Sequence, residues 1–410
     1  MHLSSRVKGV SDSITQSLNE KALRLIDEGQ VVYNLSAGQL PIKPPQEFIE
    51  KIQAQLNFLK SYQYSPVAGV GELRKKIADH HAKKRNIPAE NLDVILSNGS
   101  KQSIYFALGA LIDPGDEVIV LAPYWVSYPE MIKFWGGVPI TIKSNVFDAF
   151  SPAMEDIIKA LTPRTKAIIV NSPNNPAGVH YSAEWMKTLA LVMKDYPDLW
   201  IISDEVYSSL VYYDPAPTYF YQHAPELLER TISIGAISKT LAATGLRLGW
   251  AIAPSQVVAG ITRIQGQATS GPSSLIQRAL LEFDSELEEK FLAPVRIHLR
   301  KSAHLVRETF REKGLQNLWY QSHSAFYFML DFTRSPMFPS FVEKHGEGDH
   351  SSAICQEILE LHGVVLVPGS DFGLSNSARM SLTMEEVPFH EALLRLTNYL
   401  TRVWGNNLPA

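Results

Sequence analysis

The stretch from Ser233 to Trp250 places a lysine, Lys239, directly after a β-type run, and an arginine, Arg247, eight positions on. A lysine amine is a poor nucleophile at its usual pKa of about 10.4, and becomes a good one when apolar or cationic surroundings depress that value. Ile237 before it and Leu241-Ala-Ala after it are apolar neighbours, and Arg247 is a nearby positive charge. Ser233-x-x-x-x-Ser238-Lys239-Thr240 has the outline of a nucleotide phosphate loop, but serine stands at both glycine positions. Those glycines let successive backbone N–H groups wrap a phosphate, so a nucleotide loop is rejected.

The elements that would position Lys239 are short apolar runs separated by helical stretches. Val94–Leu96, Glu117–Leu121, Lys166–Val170, Leu199–Ile202, Thr231–Ile234 and Trp250–Ala253 read as strands. Continuous apolar strands of this kind belong to a parallel sheet buried on both faces, and ligands bind such sheets beyond the carboxyl ends of the strands. Trp125, Asn175, Asp204, Tyr207 and Lys239 all follow strand ends and should share one rim. Gly99-Ser100-Lys101 opens a helix after the first strand. Helices are expected over 11–29, from Glu47 to Lys60 and from Glu72 to Arg85. Gly69-x-Gly71 follows no strand, so it is not a dinucleotide fingerprint.

Beyond about residue 285 the texture changes to a long helix (Leu287 to Lys313), an antiparallel-looking segment (Ala325–Leu330) and a last strand carrying Arg379. A Pro-, Gly- and charge-rich loop, Arg334 to Ser351, reads as an insertion and a possible lid. The expected fold class is α/β, a mostly parallel sheet sandwiched by helices, with a second, smaller α+β domain. The expected divisions are 1–45 (N-terminal arm and part of the small domain), 46–285 (large domain) and 286–410 (small C-terminal domain).

Composition limits the partners. The chain has 410 residues, 45% apolar and 20% charged, with a net charge of −4. It carries no polybasic stripe, which argues against nucleic acid or anionic membrane as main partners. There is no run of membrane-spanning length and no signal-peptide core, so a cytoplasmic location is expected. The single cysteine, Cys355, excludes an internal disulfide. No Cys/His cluster suggests a metal.

A lysine, an aspartate and arginines on one rim suggest pyridoxal 5′-phosphate (PLP). The lysine forms a Schiff base with the aldehyde, and the aspartate keeps the pyridine nitrogen protonated so that the ring accepts electrons. Asp204 fits that need, although taken alone it also reads as a helix N-cap. Gly99, Ser100 and Lys101 at a helix N-terminus suit the phosphate, with Arg247 and Ser238 adding donors. Trp125 could lie against the pyridine ring, and Asn175 and Tyr207 are suited to its phenolate oxygen. Arg379 is the natural clamp for an amino acid's α-carboxylate.

These residues sit in motifs that together resemble the class I/II, fold type I PLP-dependent aminotransferases, in particular the bacterial aspartate aminotransferase subgroup. The motifs are Pro123-Tyr-Trp125-Val-Ser-Tyr-Pro129, Asn171-Ser-Pro-Asn-Asn175-Pro-Ala-Gly178, Ser203-Asp204-Glu-Val-Tyr207, Ser238-Lys239 with Arg247, and Ala378-Arg379-Met-Ser. The resemblance runs from about Ile14 to the end, with 334–351 departing from it. It implies that Lys239 is the Schiff-base lysine and proton carrier, aided by Asp204 and Tyr207 as catalytic residues. It further implies a homodimer with shared sites, in which Tyr64 reaches the neighbouring subunit's phosphate. Gly38, Trp125, Asn175 and Arg379 would line the substrate site. The implied reaction moves an amino group from an L-amino acid, aspartate being favoured, to a 2-oxo acid, 2-oxoglutarate being favoured. Aromatic or broad-specificity transamination, another PLP reaction such as β-elimination or cyclisation, and non-catalytic PLP binding are the alternatives. Two departures bear on this. Ala236 stands where a serine often precedes the lysine by three positions. No arginine lies at Gly266–Pro272, where some aspartate-specific relatives hold the distal carboxylate, Arg263 being upstream.

Overall fold

The computed structural model describes residues 4–9, 14–90 and 92–402. Its centre is a sheet of seven strands: β1 (Asp93–Ser97), β2 (Glu117–Leu121), β3 (Val138–Ile142), β4 (Thr165–Asn171), β5 (Trp200–Asp204), β6 (Thr231–Ala236) and β7 (Gly249–Ala253), in the order β1-β7-β6-β5-β4-β2-β3. All pairings are parallel except those of β7, which runs antiparallel to both β1 and β6. A parallel neighbour needs a long crossover. The segment between β6 and β7 holds only a four-residue helix, Ile237–Thr240, and a turn at Thr244–Leu246, with no long crossover helix, and the chain doubles back. Every residue of β2 is buried, as a central strand covered on both faces requires.

Helices cover the sheet. Gly71–Arg85 (α1) buries Leu73, Ile77, Ala78 and Ala82, and Asn86 ends it in the left-handed conformation at φ 53°. Lys83, Lys84 and Arg85 complement the negative end of its dipole. Ser100–Leu111 (α2) buries Ile104, Ala107 and Leu108 against the sheet. Ser127–Phe134 (α3) and the short Ile237–Thr240 (α4) follow β2 and β6.

The 26-residue helix Leu287–Glu312 (α5) leads into the smaller domain. There β8 (Tyr327–Asp331), β9 (Val367–Pro368) and β10 (Ser377–Ser381) form an antiparallel sheet, with β10 between the other two. The N-terminal arm joins this part: Tyr33–Asn34 pairs in parallel with Val364–Val365, and the Leu35 carbonyl accepts from Ser381 N–H at 2.7 Å.

The sheet is mostly parallel, as expected, with β7 the one reversed strand. The structure departs from the sequence reading at three places. The edge strand β3 is not among the expected apolar runs. The helix expected to reach Lys60 ends at Gln55, followed by a separate turn at Leu59–Ser61. The segment 334–351 is not an open loop. Phe338–His345 is helical, with Phe341 buried in the main core and stacked on His345. Of the helix expected over 11–29, Ile14–Asp27 is helical, while residues 11–13 lie outside the described residues.

Candidate active site

Strand register brings the rim together. Asn171 pairs with Asp204, Asp204 with Ile234, and Ala236 with Gly249, which in turn pairs with Ser97. The ends of β1, β4, β5 and β6 therefore open on one side, as the strand-end rule requires.

Asp204 ends β5 and is 4% exposed. Its Oδ2 accepts a hydrogen bond from the Tyr128 hydroxyl at 2.5 Å, and Oδ1 accepts from Val206 N–H at 3.3 Å. Burial pushes its pKa up to about 6, against the lowering effect of the Tyr128 bond. Tyr128 itself lies edge-on to Trp125, with ring centroids 5.4 Å apart. Sequence reading missed Tyr128. Its position three residues after Trp125 brings both rings to one side of a helical turn, but that spacing does not show the hydroxyl aimed at Asp204.

Lys239 projects from α4, and its amine donates to the Gly38 carbonyl. Burial first, then Arg379 and Arg247, bring its pKa down to about 8, while Asp204 opposes them. The apolar wall is not the expected one. Nζ lies 5.5 Å from the Phe326 ring centroid and 5.7 Å from that of Tyr207. Ile237 and Leu241 instead pack into the core with Phe48 and Leu73. Arg379 is the stronger cationic neighbour, and nothing in the spacing shows that.

Arg379 on β10 is 7% exposed. Nη1 donates to Asn175 Oδ1 at 3.1 Å and Nη2 to the Ser36 carbonyl at 2.8 Å, while the buried Nε has no protein partner. Its guanidinium lies 4.4 Å from the Tyr327 ring centroid and 5.0 Å from that of Phe372. Tyr207 and Tyr327 meet hydroxyl to hydroxyl at 3.0 Å.

The helix N-terminus forms a tight corner. Gly99 has φ 83° and ψ 161°, a region open essentially to glycine alone. A Cβ there would come 2.5 Å from an Arg247 guanidinium nitrogen. Arg247 bridges this corner, donating to the Thr244 carbonyl at 2.8 Å and the Asn98 carbonyl at 3.1 Å. The first-turn N–H groups of Ser100 and Lys101 have no intrahelical acceptor. Lys101 Nζ sits 4.9 Å from the Trp125 ring centroid, and Ser238 is buried beside Lys239. Tyr64 is the exception: 94% exposed, it joins none of these contacts. Gly38, Trp125, Asn175, Tyr207 and Arg379 are linked through the contacts above. Tyr128, Ser36, Phe326 and Tyr327 are additions. Among the described residues no helix is long and apolar enough to cross a membrane, and no group of three or more His, Cys, Asp or Glu could hold a metal.

The family model for aminotransferase class I and II matches residues 30–396. An aspartate/prephenate aminotransferase of Thermus thermophilus is 34% identical over 98% of this chain and 99% of its own length. The aspartate aminotransferase of Geobacillus stearothermophilus is 31% identical over 98% and 99%. A solved structure of a single mutant of the Thermus thermophilus aspartate aminotransferase superposes with a TM-score of 0.87 at 33% identity, covering 98% of this chain and 100% of that one. Sequence and fold agree over almost the whole chain: it belongs to the class I and II aminotransferases, and its chemistry is amino-group transfer.

Proposed function

We propose that the enzyme binds PLP on this rim and transfers the amino group of aspartate to a 2-oxo acid. The observation that carries the reading is the juxtaposition of a depressed lysine amine, a buried carboxylate and a glycine corner bridged by an arginine. The donor set fits the cofactor: a corner that admits no side chain at Gly99 leaves two N–H groups for a phosphate, beside Ser238 and Arg247. When bound, PLP supplies an aldehyde that takes up the amino group and a ring that withdraws electrons from Cα.

The chain's own residues do the rest. Asp204, fixed by the Tyr128 hydroxyl, holds a proton at the ring nitrogen through a charge-assisted hydrogen bond. Asn175 spends its Oδ1 on Arg379, which leaves its NH2 as a donor toward the ring's phenolate oxygen, alongside the Tyr207 hydroxyl. Arg379, already desolvated and held on two sides, receives the α-carboxylate and orients Cα toward Lys239. Nζ of Lys239 takes the Cα proton and returns it on the other side of the exchange. Gly99→Ala forces the new methyl group into Arg247, so cofactor affinity should fall about tenfold or more from strain alone. Equilibrium dialysis reads it, and unchanged affinity would dismiss the corner as the phosphate site.

Substrate choice follows from the four cations at the rim. Lys239 and Arg379 have their work, and Arg247 bridges the phosphate corner. Lys101 contributes its N–H to that corner, but its ammonium lies over Trp125, in no ion pair among the described residues. It is placed to meet a second carboxylate, which favours a dicarboxylic amino acid despite the missing arginine at 266–272. The relatives' names carry aspartate, alone or together with prephenate. Lys101→Ala should raise KM for aspartate about tenfold and leave KM for alanine unchanged, as loss of one charged contact implies. Half-reactions with each amino acid, followed by 2-oxoglutarate and prephenate as acceptors, test the whole assignment. A faster half-reaction with monocarboxylic substrates would overturn it.

We also infer a homodimer. Leu56, Phe58, Leu59, Tyr62 and Tyr64 are 47–94% exposed along one short stretch, an apolar surface that a second copy would cover. That burial would carry Tyr64 toward the neighbour's phosphate corner. The enzyme's setting is proposed to be cytoplasmic.

A further inference from the structure

Tyr327 meets Tyr207, Arg379 and Gly38, which come from three parts of the chain, and has no assigned role. It lies on β8 of the small domain and is 1% exposed. Its hydroxyl meets that of Tyr207, from the large domain, at 3.0 Å. Its ring underlies the Arg379 guanidinium at 4.4 Å. Its hydroxyl also lies beside Gly38 of the arm, where an added Cβ would be 3.7 Å away, and Gly38 is the residue whose carbonyl receives Lys239.

We infer that Tyr327 is a positioning residue for amino transfer, its hydroxyl setting the direction in which Tyr207 donates and its ring holding Arg379 in place for the substrate carboxylate. The inference rests on the PLP reading above. Proton counting carries the first half. Each phenol has one proton, so in a 3.0 Å pair only one of the two donates to the other. If Tyr207 gives its proton to the ring's phenolate oxygen, Tyr327 must be the donor within the pair. A hydroxyl that accepts one hydrogen bond is a stronger donor of the next. Tyr327 therefore strengthens Tyr207 as a donor without touching the cofactor. Geometry carries the second half. Arg379 is bonded at Nη1 and Nη2 only, with Nε unpartnered. The Tyr327 and Phe372 rings, 4.4 and 5.0 Å from the guanidinium, hold it beside these two bonds through cation–π contacts that strengthen when desolvated.

Phenylalanine and leucine separate the two halves. A hydrogen bond donated to the phenolate oxygen favours the form with the more exposed negative charge, which is the high-pH form. Weakening the bond raises the pH at which the cofactor's visible absorbance changes. Tyr327→Phe should raise that midpoint by about half a unit, Tyr207→Phe by about one unit or more, and the double variant no further than Tyr207→Phe alone. KM for aspartate should stay within about twofold in Tyr327→Phe and rise about tenfold in Tyr327→Leu. Tyr327→Met replaces the leucine variant should the latter not fold, as judged by thermal unfolding of the cofactor-free chain. An unmoved midpoint in Tyr327→Phe, or full additivity in the double variant, overturns the hydroxyl role. Equal KM in Tyr327→Phe and the aliphatic variant overturns the ring role. An unaltered protein that takes up no PLP and shows no visible absorbance ends the underlying reading and this inference with it. A yellow protein insensitive to Tyr327 ends this inference alone.

Discussion

Replacing Lys239 by alanine should lower kcat for transamination by at least ~10⁴-fold, because the same amine both holds the cofactor and carries the Cα proton. The structure gives the amine no substitute. Arg379 and Arg247 are permanently charged and accept no proton, and the Tyr207 hydroxyl sits far above its usual pKa through burial. The cleft should remain intact in the variant, since Lys239 makes one hydrogen bond, to the Gly38 carbonyl. Cofactor should still bind, held by the Gly99 corner, but borohydride should no longer fix it to the chain. In the unaltered protein the same reduction should label Lys239. Capture of PLP by the cofactor-free enzyme has its own signature. With the amine's pKa brought down to about 8, the reactive neutral form grows as pH rises through that value and is nearly complete by pH 9. An ordinary surface lysine would still be gaining reactivity at about pH 10. Single-turnover transamination by Lys239→Ala within about tenfold of the parent, a barrier change of only ~1.4 kcal/mol, would remove Lys239 from the mechanism.

How far such a site can be read in advance depends on whether a residue's role is carried by the local chain. Asp204 and Asn175 were legible because each follows an apolar run whose burial dictates a strand, and strand ends in such sheets converge. Trp125 and Lys239 follow the same logic. Tyr327 and Tyr128 were not, since their function lies in contacts with residues 120 and 76 positions away. Each is one of sixteen tyrosines in the chain, and no spacing distinguishes a phenol aimed at a carboxylate from one packed in a core. The direction of β7 was hidden for a related reason. Trp250–Ala253 has the same apolar texture whichever way it runs, and the reversal shows only in a preceding connection that holds no long crossover helix. Strand β3 was lost because it is an edge: Val138 is 45% exposed, and Pro139 removes a donor. The helix Phe338–His345 was masked by the prolines and glycines on either side. Its one deeply buried ring, Phe341, is enough to anchor it.

Asp204→Asn should produce opposite effects on stability and on catalysis. In the cofactor-free chain the folded-state pKa of Asp204 is pushed up to about 6 by burial, above the unfolded value of about 3.9. For a carboxyl group with a raised pKa, the favourable contribution is fully present below about pH 3.9 and is lost as pH rises through about 6. At pH 8 the buried charge is therefore a cost, which asparagine removes while keeping an oxygen for the Tyr128 hydroxyl. The cofactor-free variant should melt ~2–4 °C higher than the parent at pH 8, and the difference should vanish toward pH 4. Binding the cofactor inverts the sign. A protonated ring nitrogen converts the buried carboxylate from an uncompensated charge into half of an ion pair, and asparagine cannot supply that charge. Transamination by Asp204→Asn should fall on the order of 10³-fold, with weaker cofactor binding. The substitution also reaches Lys239, whose pKa Asp204 helps to keep up against two arginines. Its removal should shift the midpoint of PLP capture below about pH 8. A variant stabilised at pH 8 that still turned over within about tenfold of the parent would mean that the ring nitrogen finds its partner elsewhere. A loss of both stability and activity would mean instead that the Asp204–Tyr128 bond holds up the fold.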